Sequence, residues 1–243
     1  MSTHLVMQRV NHGLHFRAHA LRGEGARIAP FISVDHAWMS APTFPPHRHA
    51  GIAAVSYVFS DSETAIENRD SLGNHNLIEP GGLHWLTAGS GVVHEEVPAT
   101  PGRTVHSLQI FVALSPVART GEPSAIGLAA HEIPVVQRPG AIIRVPLGTF
   151  EGMSSPLVPT TRVTMLDIAL EPEAGLDLPF PANEMSFLLP VTGRIAVDGD
   201  MLDPERSGAP FYSAKNSQHM ARLVARAAPA RIMLFAGTSA SIS

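Results

Sequence analysis

Glycine and proline are spread along the whole chain and interrupt it too often for long helices. The 243 residues include 20 Gly and 21 Pro. Proline inside a helix removes a backbone hydrogen bond and clashes with the preceding turn, and glycine weakens a helix through its conformational freedom. Short strands joined by turns tolerate both residues. The distribution therefore predicts an all-β protein.

Length and composition bear on the number of domains. Hydrophobic residues make up 44% of the chain and charged residues 16%, which indicates a filled core rather than a disordered chain. The length exceeds the usual size of a single domain, although one large β domain would also fit it. We favour two domains, 1–120 and 121–243. The stretch Ser115–Ala130 is rich in small residues and Pro, and we expect it to be a linker with some short helix.

Several local patterns predict strands and bends. Ala53–Phe59 is an apolar strand, and Thr64–Asp70 is predicted to be its antiparallel partner. Val191–Asp200 has the pattern of a hairpin. Gly89 and Gly91 are expected to let the backbone bend sharply.

Two short clusters carry metal-binding residue types at strand spacing. His47 and His49 lie in PPHRHAG, and His94 and Glu96 lie in GVVHEEVP. Side chains two positions apart in a strand share a face, so each pair can bind one ion from its own strand. Three imidazoles and one carboxylate suit Fe, Mn, Ni, Cu or Zn better than Mg or Ca. An octahedral ion held in this way would keep open positions for chemistry.

The other histidines are weaker candidates. In a chain with 13 His, one His-x-His pair alone is weak evidence, but two pairs beside turns support a single site. We expect His36, His75 and His106 to be surface or partly buried residues rather than ligands. His84 and Trp85 are neighbours on a predicted strand, so one should face the barrel interior and the other outward.

The order of motifs around the two pairs resembles the pirin family. The runs PHRHAGIAAVSYVF, NRDSLGN and EPGGLHWLTAGSGVVHEEVP follow one another. Pirins carry, in the same order, a PHPHRG-type segment, an HRDSLGN-type turn and a PGD-x-x-W-M-T-A-G-x-G-x-x-H-x-E-x-P segment. The resemblance is sharp from Ala26 to Val112 and diffuse beyond it. It implies that the iron ligands of the family fall on His47, His49, His94 and Glu96.

The chain departs from the family pattern beside the site. Arg48 stands where Pro is usual and Ala50 where Arg is usual. Asn68 takes the place of a frequent His, and Gly82 that of a common Asp. None of these positions is a predicted ligand. The departures therefore leave the metal site intact and alter the pocket wall, which bears on the substrate.

The resemblance implies a bicupin, with two antiparallel jelly-roll-like cupin barrels packed face to face. One mononuclear metal would lie in the N-terminal barrel, with Fe(II) as the implied ion and Mn, Ni, Cu or Zn as alternatives. Eleven of the 13 histidines precede residue 107, so the second barrel is expected to lack the metal ligands.

Two functions from different classes are compatible with this family. The first is a flavonol (quercetin) 2,3-dioxygenase, whose substrates are a flavonol and O2, with Glu96 as both ligand and catalytic base. The second is a metal- and redox-dependent regulatory protein that binds a transcription factor or a metabolic enzyme. An apolar, ligand-sized cavity open to solvent would favour the enzyme. A metal behind a closed barrel mouth would favour the regulatory protein.

Charge and composition argue against a nucleic-acid-binding, membrane-inserted or disulfide-bonded protein. The net charge is −4 and no Lys/Arg run occurs, which argues against direct nucleic-acid binding. No apolar segment approaches about 18 residues and the N-terminus has no signal-like region, so we expect a cytoplasmic protein without membrane insertion. The chain contains no Cys, which excludes disulfides and sulfur-ligated metals. The C-terminal run TSASIS is predicted to be a loose tail.

Overall fold

The chain is built almost entirely from strands in the computed structural model of the protein. The structure describes residues 3–205, 208–217 and 219–238. Strands make up 56% and helices 3%, which confirms the all-β prediction. Apart from its first residue, the predicted C-terminal tail lies outside the described residues. None of the helices in the described ranges has the length and apolar character needed to cross a membrane.

The first barrel consists of two antiparallel sheets. Its strands are β2 (Gln8–His12), β3 (Phe16–Leu21), β4 (Phe31–Met39), β5 (His47–His49), β6 (Ile52–Val58), β7 (Ile66–Asp70), β8 (His75–Ile78), β9 (Leu83–Thr87), β10 (Val92–Pro98), β11 (Val105–Ala113) and β12 (Ser124–Leu128). The larger sheet has the order β12-β9-β6-β11-β4-β3-β2, and the smaller sheet has the order β5-β10-β7-β8. A short 3-10 helix spans Gly25–Arg27, and helix α1 spans Pro116–Thr120 within the predicted linker.

The second barrel repeats this arrangement. Its strands are β1 (Thr3–Leu5), β13 (Val135–Arg138), β14 (Ala141–Leu147), β17 (Val163–Leu170), β18 (Gly175–Phe180), β19 (Met185–Thr192), β20 (Ile195–Val197), β21 (Asp200–Leu202), β22 (Ala209–Tyr212), β23 (His219–Ala225) and β24 (Ala230–Gly237). They form the sheets β1-β22-β19-β24-β17-β14-β13 and β18-β23-β20-β21. A small ribbon joins β15 (Thr149–Phe150) to β16 (Met153–Ser154).

The two seven-stranded sheets pack face to face, as predicted for a bicupin. Leu108, Ile110 and Val112 of β11 lie in one core cluster with Phe187 and Phe235 of the second barrel. The two phenylalanine rings stack with their centroids 4.8 Å apart. The alternate residues of β11 face the interior of the first barrel. The larger sheet is therefore covered on both faces.

Each barrel also includes a strand from the other side of the predicted domain boundary. Strand β1 pairs with β22 of the second barrel, and β12 pairs with β9 of the first. Both larger sheets therefore contain strands from either side of the predicted boundary between residues 120 and 121. The boundary itself stays a prediction.

Two predicted pairings are wrong. Thr64–Asp70 was expected to pair with the apolar strand β6, but β7 pairs with β10 and β8. Strand β6 instead lies between β9 and β11. The hairpin predicted over Val191–Asp200 is also absent there, because β19 and β20 belong to different sheets. The turn at Asp198 and Gly199 instead joins β20 to β21.

The turn before β10 positions the strand that carries His94. Gly89 and Gly91 both have positive φ, +49° and +143°, which confirms the predicted bend. The amide of Ser90 donates a hydrogen bond to the carbonyl of Gly121 just after α1, at 2.9 Å. A Cβ on Gly89 would lie 2.3 Å from that same oxygen. The linker therefore packs directly against the turn.

A polar network crosses the interface between the barrels. The Tyr57 hydroxyl donates to Asp167 Oδ2 at 2.7 Å. Arg231 pairs with Asp167 at 3.2 Å and donates to Asp61 at 3.0 Å. The same Asp61 oxygen lies 3.1 Å from His106 Nδ1. One arginine of the second barrel thus connects two carboxylates that face it from different barrels.

A buried histidine pair extends this network. His36 and His106 are 0% and 7% exposed, so the expectation that they lie on the surface or are only partly buried is wrong. Strand alternation turns both of them toward the second barrel, and their Nε2 atoms are 2.7 Å apart. The Nδ1 atom of His36 is buried without a hydrogen-bond partner. Burial, followed by the neighbouring His106, His19 and Arg17, lowers the pKa of His36 well below its usual value.

We predict that Gly89→Ala destabilises the protein more than Gly102→Ala. Both glycines have positive φ, but a Cβ on Gly102 meets nothing within 4 Å. Both variants place an alanine at positive φ, which is unfavourable for the backbone. Only Gly89→Ala also displaces the carbonyl of Gly121 in the linker. We expect a difference of about 1–3 kcal/mol in the free energy of unfolding. Urea denaturation measures it, and equal effects would contradict the close packing of turn and linker.

We also predict that His36 reduces stability in mild acid. Its pKa is lowered in the folded state, so the unfolded chain takes up a proton near pH 6.5 that the folded chain does not. The stability that depends on a neutral His36 ring is fully present above that pH and is lost as the pH falls below it. His36→Gln keeps a hydrogen-bonding group beside His106 but cannot titrate. Its stability should fall less steeply with acid than that of the wild type, by up to about 1.4 kcal/mol per pH unit. Unfolding curves from pH 7 downward should separate the two proteins, and identical slopes would contradict the prediction.

Candidate metal centre

Three of the four predicted ligands come together at one edge of the smaller sheet. Strands β5 and β10 pair antiparallel, with His94 opposite His47 and Val92 opposite His49. The three imidazole centroids lie 4.7, 4.8 and 4.9 Å apart. One nitrogen of each ring lies within 4.8 Å of the others. Within the described residues, this is the only group of metal-binding side chains so arranged.

The chemistry of the three rings fits a metal ion. His47 Nδ1 lies 3.0 Å from the Pro45 carbonyl, which can only accept, so Nδ1 carries the proton and Nε2 is left for coordination. Burial, followed by the neighbouring His94 and His47, lowers the pKa of His49 to about 4. Burial also lowers the pKa of His94. His94 Nδ1 is buried without a hydrogen-bond partner. The lowered pKa values of His49 and His94 favour the neutral ring that metal binding requires, and the unsatisfied nitrogen of His94 fits a site for an ion.

The fourth predicted ligand, Glu96, lies on the same face of β10 but outside this group. Ser56 Oγ donates to the carboxylate, with distances of 2.8 and 2.7 Å to its two oxygens. Gln109 Nε2 donates to Oε2 at 2.9 Å. Burial alone would raise the pKa of Glu96, but His84, His94 and Ser56 lower it to about 2. The carboxylate is therefore ionised at neutral pH.

A cavity of about 290 Å³ opens beside the histidines in the interior of the first barrel. Its apolar wall includes Phe16, Met39, Phe44 and Phe111. Phe44 is 37% exposed and packs edge-on against Phe16, with ring centroids 5.0 Å apart. The Phe111 ring lies 5.1 Å from that of His49. Aromatic side chains therefore extend from the mouth of the cavity to the histidines.

The cavity also has a polar wall that the sequence did not reveal. Arg22 and Asp35 line it as an ion pair, with Arg22 Nε 3.1 Å from Asp35 Oδ1. Ser107 and Gln109 of β11 add further polar groups. Alternation along β11 would indicate that these residues share a face. The strands that lie beside them could not be deduced from local sequence.

The structure places the remaining candidates as follows. His84 is buried with Nδ1 3.9 Å from the Glu96 carboxylate, which is too long for a hydrogen bond. Trp85 packs into the core shared with the second barrel. The prediction that these neighbours face opposite ways is confirmed. Arg48 points away from the imidazoles and donates to the Ser90 carbonyl at 2.7 Å.

Comparison with known proteins shows similarity to members of one family. The family model for pirin matches residues 16–112. Human pirin is 30% identical over 203 residues, which cover 83% of this chain and 68% of that protein. A pirin-like protein of Arabidopsis thaliana is 32% identical over 168 residues, which cover 68% of this chain and 53% of that protein. The chain therefore spans between about half and two thirds of the length of these relatives.

Solved structures show the same fold. A protein of Geobacillus kaustophilus superposes with a TM-score of 0.85 at 31% identity and covers 98% of this chain and 94% of its own. A quercetin 2,3-dioxygenase of Acinetobacter baumannii gives 0.83 at 20% identity, with 98% and 88% covered. A bacterial pirin of Escherichia coli in complex with nickel(II) gives 0.74 at 16% identity, with 95% of each chain covered. At the two lower identities the likeness concerns the fold alone. With the matched family model and the identity to human pirin, the chain belongs to the pirin family.

Proposed function

We propose that the protein is a mononuclear iron enzyme that catalyses ring-opening 2,3-dioxygenation of a flavonol such as quercetin. The observation that carries the proposal is the convergence of three imidazoles at the wall of an apolar cavity. Its volume of about 290 Å³ lies just below the range that is typical of small-molecule sites, roughly 300–1,000 Å³. The solved dioxygenase with this fold suggests which substrate to test first.

The metal would be held by His47, His49 and His94, with Glu96 as the fourth proposed ligand. When bound, a divalent transition metal would supply a Lewis-acidic centre at the cavity wall, and Fe(II) would also supply redox activity. Fe(II) is the proposed ion. The donor set also admits Mn, Ni, Cu and Zn, so each of these metals belongs in the test.

The aromatic residues of the cavity suit a flat aromatic substrate. Phe16 and Phe44 can pack against its ring at the cavity mouth, while Phe111 lies beside His49. Aromatic rings favour offset or edge-on contacts of this kind and exclude water from the space between them. The substrate would thus be oriented with its polar edge toward the histidines.

Glu96 would accept the proton of the flavonol 3-hydroxyl. Its carboxylate lines the cavity and is ionised at neutral pH. Ser56 and Gln109 fix its orientation through hydrogen bonds. A positioned carboxylate of this kind is a candidate general base.

A regulatory protein that binds a macromolecular partner is the competing hypothesis. It would fit a metal closed off from solvent. Phe44 at the cavity mouth is 37% exposed, and His47 is also exposed. A small molecule can therefore reach the histidines from solvent, which favours the enzyme.

We predict that His94→Ala weakens metal binding while the barrels stay folded. The substitution removes one of three imidazoles and leaves the apolar cores unchanged. Metal affinity should fall by at least about tenfold, measured by equilibrium dialysis and elemental analysis under anaerobic conditions. The far-UV circular dichroism should remain β-like. His75→Ala, at an exposed histidine outside the group, is the matched control and should retain its metal. Unchanged metal binding in His94→Ala would contradict the proposed ligand set.

We predict that Glu96→Gln loses most turnover. Glutamine has nearly the same size but lacks the negative charge and the basic site. Oxygen uptake with quercetin, normalised to bound metal, should fall by about 10²–10⁴ if the carboxylate is the base. The wild type should consume oxygen only when metal is present.

Glu95→Gln is the matched control for this experiment. Glu95 directly precedes Glu96 on β10, pairs opposite Arg69 and lies on the other face of the strand. Its removal also eliminates one carboxylate but should leave turnover unchanged. Equal rates per metal in Glu96→Gln and wild type would show that Glu96 is not the base. Absence of metal-dependent uptake by the wild type with any flavonol or metal would favour the regulatory hypothesis.

A further inference from the structure

An arginine lies in the wall of the cavity. Arg22 directly follows Leu21, which pairs with Val34 at the end of the ladder between β3 and β4. Leu21 packs into the core shared by the two barrels, so strand alternation turns Arg22 to the other face and into the cavity. Among the described residues that line the cavity, Arg22 is the only arginine or lysine. It is therefore the one permanent positive charge that the described cavity wall contains.

Asp35 holds the guanidinium of Arg22 in one orientation. Arg22 Nε donates to Asp35 Oδ1 at 3.1 Å, and Nη2 donates to Oδ2. Both carboxylate oxygens are therefore bound to one edge of the guanidinium. A guanidinium carries five N–H donors in one plane. Its second edge, formed by Nη1 and the other N–H of Nη2, meets no protein acceptor within the described ranges.

The two members of this ion pair differ in exposure. The side chain of Arg22 is 48% exposed, and that of Asp35 is 9% exposed. The carboxylate therefore lies within the wall, while the guanidinium reaches the space that a ligand can enter. Ion pairs of this kind add little to stability, because desolvation offsets their attraction. Stability alone gives no reason for a charged pair in this part of the barrel.

Phe111 relates Arg22 to the histidines. Its ring centroid lies 5.1 Å from that of His49. Its backbone pairs with Ser33 of β4, which precedes Asp35 by two residues and lines the same wall. An aromatic ligand that packs on Phe111 can therefore direct one edge to the histidines and another edge toward Arg22.

We propose that Arg22 selects aromatic substrates that carry a carboxylate, or a similar two-oxygen anion, away from the edge that meets the metal. The free edge of the guanidinium matches such an anion with two parallel N–H donors. Asp35 and Glu96, the other acidic residues of the described wall, would repel the anion elsewhere in the cavity. Asp35 acts as a positioning residue for the guanidinium. This inference rests on the aromatic cavity of the proposed function but not on its oxygen chemistry.

A charged and a neutral probe of the same shape test the proposal. 2-Naphthoate and 2-naphthamide share one aromatic body and differ in the carboxylate. The full-length protein is loaded with Zn(II), which has no redox chemistry, and binding is measured by isothermal titration calorimetry. The wild type should bind 2-naphthoate at least about tenfold more tightly than 2-naphthamide, because charge-assisted bidentate hydrogen bonds are the strong ones.

Three variants assign this preference to Arg22. Arg22→Gln combined with Asp35→Asn removes both charges, so no buried charge is left without a partner. The preference for 2-naphthoate should disappear in this double variant. Arg22→Lys keeps the positive charge but lacks the fork and should lose most of the preference. Arg103→Gln removes an exposed arginine that does not line the cavity and should keep the wild-type preference.

The other outcomes overturn the proposal. A preference that survives in the double variant would mean that the carboxylate binds the metal instead. Full preference in Arg22→Lys would show that the fork does not select the anion, and equal binding of both probes by the wild type would show that no anion is selected. Binding of neither probe would overturn the aromatic cavity and this inference together. A preference for 2-naphthoate without oxygen uptake on any flavonol would leave the inference standing and remove only the dioxygenase.

Discussion

The larger sheet of the first barrel is covered on both faces, and most of the molecule follows from this constraint. Strand alternation divides each of its strands into two sets of side chains. Along β11, Leu108 and Ile110 pack against the second barrel, while Ser107 and Gln109 face the cavity. His106 lies on the same face of β11 as Leu108 and joins the polar network between the barrels through Asp61. One sheet therefore supplies the core between the barrels and one wall of the candidate site.

The candidate metal centre depends on contacts between the two sheets of the first barrel. The histidines lie on the smaller sheet, where β5 and β10 pair. Glu96 belongs to the same strand as His94, yet its hydrogen-bond donors lie on the larger sheet. The carboxylate is thus the point at which the two sheets meet inside the barrel. A movement between the sheets would alter its hydrogen bonds before it altered the histidine group.

Local sequence was sufficient for the features that depend on spacing within one strand. His47 and His49 share a face because they are two residues apart, and the same holds for His94 and Glu96. The bends at Gly89 and Gly91 follow from local chemistry as well. The resemblance to pirins supplied the bicupin arrangement, which composition alone left open.

Features that depend on strand order could not be predicted from the sequence. Thr64–Asp70 follows β6 closely in the chain, and proximity favoured a hairpin between them. The real neighbours of β6 are β9 and β11, which come later in the chain. The same long-range pairing brings Ser56 and Gln109 side by side, so neither residue gives a local signal of its contact with Glu96. The burial of His36 likewise depends on residues distant in sequence, since its ring meets His106 of β11 and Phe59.

The second barrel contributes to the site although the group of three histidines lies entirely in the first. Its sheets repeat the seven-plus-four arrangement, and its core cluster with the first barrel includes Trp85, the neighbour of His84. Strand β12, beyond the predicted boundary, pairs with the same strand β9. The turn before His94 is fixed by the linker through the hydrogen bond from the Ser90 amide to the Gly121 carbonyl.

Separation of the barrels would expose the apolar outer face of β11 to water, at a cost of about 25 cal/mol per Å² of apolar surface. The cavity wall is the other face of that same strand, so its geometry depends on the second barrel staying in place.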